Sequence, residues 1–211
     1  MPDQGQRERS RDLERLLTFV DAVAAVAITL LVLPLVDLAS EVHTRHDSVS
    51  DLISTHFGRF WAFALSFVVI ARLWLAQHDL MRPVIAQSRA LVGLLIMWSL
   101  AIVFLPFPTA LLPIGGEQVI TKVLYMGTLA IASTLLALVA IAIGRDSSIR
   151  ETEHGPAVAP AAVIAVLFAV ALIISVTVPA AGYYPLVLLI ASDLVVDVIR
   201  RVQRRGHQSA P

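Results

Sequence analysis

The stretch RLLTFVDAVAAVAITLLVLPLVD, residues 15–37, decides how the chain is read. It is longer than the ~20 mostly apolar residues needed to cross about 30 Å of hydrocarbon, yet Asp21 lies inside it and Asp37 ends it. Composition agrees with a bilayer setting. The chain has 211 residues, 57% hydrophobic and 15% charged, with mean hydropathy +0.80, too little polar surface for a water-soluble domain of this size. A formal net charge of zero gives no bulk attraction to nucleic acid. The absence of cysteine excludes disulfides, thiol catalysis and cysteine-ligated metals. The first apolar run exceeds a signal-peptide core and no small-residue cleavage pattern follows it, so a retained span is expected.

Six apolar segments reach or approach spanning length, at roughly 16–36, 57–77, 90–112, 118–143, 157–178 and 183–199. Their Ala, Leu, Ile and Val run without strand-like alternation, which predicts helices. The expected fold is an all-α integral membrane protein: one six-helix domain over residues 1–211, multi-pass in the cell membrane. Basic residues set its orientation. Arg7, Arg9, Arg11 and Arg15 precede the first span, Arg82 and Arg89 lie in the second connection, Arg145 and Arg150 in the fourth, and Arg200, Arg201, Arg204 and Arg205 in the tail. The alternate connections carry few cations, so the arm of residues 1–15, the tail of 200–211 and both termini are predicted to be cytoplasmic. The sixth segment carries Asp193 and Asp197, which places its inner end in the interface or against other helices.

On a helix, Val26, Leu30 and Leu33 fall at i, i+4 and i+7 with Thr29 beside them. Ala22, Ala24, Ala25 and Ala27 occupy other faces and admit close neighbours, so protein is expected around most of this helix. The stripe itself suits packing or a lining. Asp21, about 7.5 Å along the axis from Leu16, needs a partner or a wet cavity. Arg15, Arg72, His78 and Trp98 lie at its level. Two readings of Asp21 stand at this point: a polar cluster that locks helices together, and a proton relay.

Arg15, Phe19 and Asp21 in RLLTFVD, followed by AVAAVAITLLVL, resemble the Arg-x-x-x-Phe-Ser-Asp signature of the first helix in the lysosomal potassium channel family, transmembrane protein 175, in its bacterial branch. RLWLAQHDL, with Trp74 and His78, and FLPFPTALL, residues 104–112, are similar to that family's second- and third-helix endings. The resemblance implies a homotetramer in membrane lipid, with four first helices around a pore for potassium and other monovalent cations or protons. It implies Val26, Leu30 and Leu33 as the constriction, Thr29 as a pore-lining hydroxyl, and Arg15, Phe19, Asp21, His78 and Trp98 as a signature and helix-packing network. Beyond the permeant potassium ions, no cofactor or metal is expected. Val20 replaces the signature serine and thins that network. Val26 stands where isoleucine is usual, so Leu30 and Leu33 become the tighter layers.

No Thr-Val-Gly-Tyr-Gly filter loop is present; TVPAAGYYP, residues 177–185, reads as an outer turn. Selectivity would then come from wetting of an apolar constriction and from the cost of stripping water from an ion, a device that gives modest preference for potassium over sodium. Asp37, at i+4 from Leu33, is either a solvated helix-end charge or, in a four-fold assembly, a carboxylate ring at the extracellular mouth. His43 and His46, with Glu41, Asp47 and His56 nearby, read as a solvated polar loop. No motif of a hydrolase, phosphate loop or zinc protease occurs, so an enzyme is not expected. The competing class is a proton-coupled transporter or proton-leak pathway using Asp21 and His78 with Arg72; broken mid-membrane helices in paired positions, the usual mark of a transporter, are missing from the sequence pattern.

Overall fold

A computed structural model describes residues 4–38, 49–116, 118–149, 151 and 158–177. Its helices are α1 (Gln4–Leu30), α2 (33–38), α3 (Val49–Thr55), α4 (Phe57–Met81), α5 (Arg89–Phe104), α6 (Pro106–Gly115), α7 (Val119–Arg145) and α8 (Val158–Thr177). Among the described residues, four spans have the length and apolarity to cross a membrane: Ser10–Leu38, Phe57–Met81, Arg89–Gly115 and Val119–Arg145. With α8, these correspond to the first five predicted segments. The sixth segment, the basic tail, the histidines at 43 and 46, and Asp193 and Asp197 lie outside the described residues.

Proline chemistry divides two of the spans. Pro34 has no N–H for the carbonyl of Leu30, and its ring crowds that carbonyl. The backbone shifts to a tighter turn in which Val32 N–H bonds Thr29 O at 3.2 Å and Leu35 N–H bonds Val32 O at 2.9 Å, separating α2 from α1. Pro106 likewise divides α5 from α6, where Leu105 N–H turns back to Ile102 O at 3.2 Å. At the other end of α5, the Ser88 hydroxyl accepts the N–H of Leu91 at 3.2 Å, which caps the helix start.

The α1 helix starts well before the span expected from hydropathy. Its first turns carry Glu8 with Arg11, Asp12 with Arg15 and Arg11 with Glu14, opposite charges at the i,i+3 spacing that supports a water-exposed helix. The basic arm is therefore helical from Gln4 and continuous with the span.

The centre of the bundle is α7, packed against α8, α5, α6 and α4. Its small residues Ala132, Ala137 and Ala140 are buried and allow that close approach. Among the fully buried side chains are Ile70, Leu95, Trp98, Ile102, Tyr125 and Leu129. One hydroxyl cluster crosses helices in this core: Ser66 Oγ lies 3.0 Å from the Tyr125 hydroxyl and 2.9 Å from Thr109 Oγ1. It joins α4, α6 and α7. Lys122, three residues before Tyr125, is also buried and takes part in an interaction of its own.

At the opposite end, two connections are strapped together. The N–H groups of Ile85 and Ala86 reach the carbonyl of Ile149 at 2.8 and 3.4 Å, and Glu151 N–H reaches Pro83 O at 2.9 Å. The second and fourth connections, which carry Arg82, Arg89 and Arg145, thus share one end of the bundle, as their charges require.

The hydroxyl cluster gives a direct test. Tyr125→Phe is expected to lower stability by about 0.5–2 kcal/mol, the range for interhelical hydrogen bonds in membranes. A double-mutant cycle with Ser66→Ala, read by thermal unfolding in detergent, should return a coupling of the same sign and about 0.6 kcal/mol.

Candidate functional site

Within the chain, the first span is the least enclosed of the four: 22% of its apolar window is buried, against 56% for α7. It turns one stripe inward. Leu13, Val20, Ala24, Ala27 and Leu31 are buried and recur at alternating spacings of seven, four, three and four. This differs from the expectation of a helix surrounded by protein on most sides: Ala24 and Ala27 are covered, whereas Ala22 and Ala25 are exposed. The physical reason is the spacing itself, which can fill only one face against α5 and α4.

The opposite face carries the residues of the expected lining. Val26 is 53% exposed and Leu33 51% exposed; Thr29 is exposed and Leu30 partly buried. The Thr29 hydroxyl donates to the carbonyl of Val26 at 2.7 Å, a back-bond at i−3. Leu33 and Asp37 follow the turn at residues 31–32, so they belong to α2 and not to the same straight helix as Val26. Asp37 is exposed, takes part in an interaction of its own, and also lines a cavity shared with Arg59.

The signature residues divide into two groups. Asp21, partly buried, accepts a hydrogen bond from the indole Nε1 of Trp74 at 2.8 Å. Trp74 in turn stacks obliquely on His78, with ring centroids 5.9 Å apart. These three link α1 to α4. Arg15 is exposed beside Arg11, Glu14 and Thr18 around a shallow open hollow. Phe19 is 53% exposed and so lies outside the packed core of the chain. Trp98 is fully buried on α5, and its Nε1 has no hydrogen-bond partner among the described residues. Val20, which replaces the signature serine, is fully buried as well and supplies no acceptor. Sequence reasoning named four candidate partners for Asp21 and omitted the actual one, Trp74, although RLWLAQHDL contained it; its place at i−4 from His78 was the available signal.

Chemically, this arrangement holds α1 by a carboxylate–indole bond on one side and leaves an apolar face bearing one hydroxyl on the other. Among the described residues, no group of three or more His, Cys, Asp or Glu has metal-binding geometry.

Comparisons with known proteins find sequence relatives over the first half of the chain. The family described as endosomal/lysosomal potassium channel TMEM175 matches residues 15–106. A potassium channel of Chamaesiphon minutus is 37% identical over 101 residues, covering 46% of this chain and 48% of that protein. A potassium channel of Streptomyces collinus is 30% identical over 98 residues, covering 46% of each. The match therefore spans about half the length of these curated relatives. The crystal structure of a lysosomal potassium-selective channel TMEM175 homolog from Chamaesiphon minutus superimposes with a TM-score of 0.64 at 19% identity, over 90% of this chain and 98% of that one, and shares the fold. The matched segment holds the signature, the Asp21–Trp74–His78 link and the exposed face of the first span, and over residues 15–106 this chain is similar to the TMEM175 family.

Proposed function

We propose that the chain is one subunit of a homotetrameric, potassium-permeable cation channel whose pore is lined by four copies of the first span. The observation that carries this reading is the uncovered face bearing Val26, Thr29 and Leu33 on the least enclosed of the spans. The relatives that share this segment are named potassium channels, which supports the same assignment.

In such an assembly Leu30 and Leu33 form the narrow apolar layers, with Val26 a wider layer below them. Conduction requires these layers to wet, and the partial dehydration of a passing ion favours potassium, which holds its water less tightly than sodium. The Thr29 hydroxyls interrupt the apolar stretch. Asp37, beyond the Pro34 break, adds a ring of negative charge that concentrates cations at the mouth. Asp21 acts from behind: its bond to Trp74 anchors the inner half of the lining helix to α4.

A proton relay through Asp21 and His78 has less support. Asp21 is engaged by an indole N–H, a donor that does not exchange protons along a path, and His78 meets Trp74 by its ring face.

Two measurements test these assignments. In liposomes carrying a potassium gradient, Leu30→Ala is expected to raise potassium flux several-fold or to bring sodium flux close to potassium; unchanged permeation would remove Leu30 from the constriction. Trp74→Phe leaves the Asp21 carboxylate without its donor, at a cost of about 1–3 kcal/mol. It should lower the thermal midpoint of the assembly while leaving the potassium-to-sodium ratio intact. Proton flux that persisted in wild type under a proton gradient and vanished in Asp21→Asn, with the tetramer intact, would favour the relay instead.

A further inference from the structure

The first helix outlasts the support its own chain gives it. Leu13 is the earliest buried side chain described in α1, and ahead of it Glu8, Ser10, Arg11 and Asp12 are exposed. Residues 4–12, about 13 Å of helix, therefore form an arm that projects from the bundle. A helix of that length is marginal in water without lateral support. Neither Gly nor Pro occurs between Gln6 and Leu30, so arm and span are one rod.

The exposed residues of this rod are in register. Glu8, Asp12, Arg15, Phe19, Ala22 and Val26 are all exposed and recur at steps of four, three, four, three and four. This is the heptad spacing by which a helix keeps one seam facing parallel copies of itself. It joins the arm, without a shift of phase, to the face that carries Val26 and Thr29. Bilayer insertion gives every copy the same direction, so copies that meet along the seam meet parallel. In register, Asp12 of one copy and Arg15 of the next are three residues, about 4.5 Å, apart along the axis, which brings a carboxylate within reach of a guanidinium. Neither has an ion-pair partner among the described residues. The seam is thus complementary to itself, whereas its arginine opposes the cationic tail of residues 200–211.

We propose that the arms of neighbouring copies pair in parallel along this seam, Asp12 of each held by Arg15 of the next, so that the lining continues past the membrane as a charge-paired cytoplasmic collar below Phe19. The partner is a second copy of this chain. The collar rests on the first span being the lining helix, and adds that the helices stay together beyond the lipid instead of splaying.

The chain has no cysteine, so single cysteines report proximity without background. With the full chain in liposomes, copper-phenanthroline oxidation of Glu8→Cys is expected to give a disulfide-linked dimer in about fivefold higher yield than Ser10→Cys, which lies about 200° around the helix from the seam. Val26→Cys reports on the lining itself. Added to Glu8→Cys, Asp12→Arg should lower the yield several-fold, Asp12→Asn should give an intermediate yield, and the exchange of Asp12→Arg with Arg15→Asp should recover most of it, all at unchanged oligomeric mass. A yield from Glu8→Cys no higher than from Ser10→Cys, while Val26→Cys is linked, would overturn the collar and leave the lining standing; an arm covered by the chain's own tail gives this result. Absence of linkage at Val26→Cys as well would remove the lining and the collar with it. Linkage at Glu8→Cys that neither Asp12→Arg nor Asp12→Asn lowers would overturn the Asp12–Arg15 pairing.

Discussion

Backbone polarity governs this molecule more than any side-chain contact does. In hydrocarbon a carbonyl or N–H without a partner costs several kcal/mol, and water is not at hand to supply one. Long uninterrupted helices follow, and the points where the ladder fails are confined to places that can absorb the loss. Pro34 and Pro106 lie at the same end of the bundle, where the tightened turns at Thr29–Val32 and Ile102–Leu105 recapture part of what proline removes. Regular helix through the middle of the spans and irregular backbone near one end is the arrangement this constraint allows.

Side-chain hydroxyls obey the same constraint. Thr18, Thr128, Ser133, Thr134 and Thr177 each donate to the carbonyl four residues earlier, at 2.6 to 2.8 Å. Few polar groups are left to bind helices to one another. Among those that do, Trp74 with Asp21 and the Ser66–Tyr125–Thr109 cluster supply orientation that apolar packing cannot, because a leucine is as comfortable against lipid as against a neighbouring leucine. Trp98 shows the cost of an incomplete set. Its N–H is buried without a partner among the described residues, and buried Val20 offers no hydroxyl.

Much of the fold was legible in the sequence because span length is a property of consecutive residues. Segments expected at 57–77 and 118–143 correspond to Phe57–Met81 and Val119–Arg145, and the shared end of the arginine-bearing connections was foreshadowed by their charge. The helical start at Gln4 was not, since hydropathy gives no signal where a helix is held by alternating charges in water. Candidate site residues were harder. Periodicity placed Val26 and Leu33 on one face, and both are exposed, but it could not distinguish Trp74 from Arg72 or His78 as the partner of Asp21. That choice depends on how α4 is rotated about its own axis, information that no single helix contains. Nor could composition show that the first span covers only one stripe of itself within the chain.

Thr29 carries a consequence of its back-bond. A hydroxyl has a single proton, and at this position that proton is committed to the carbonyl of Val26. What the side chain shows to its surroundings is therefore only oxygen lone pairs. The exposed face of the first span, which carries no formal charge between Asp21 and Asp37, thus presents a hydrogen-bond acceptor and no donor from this side chain.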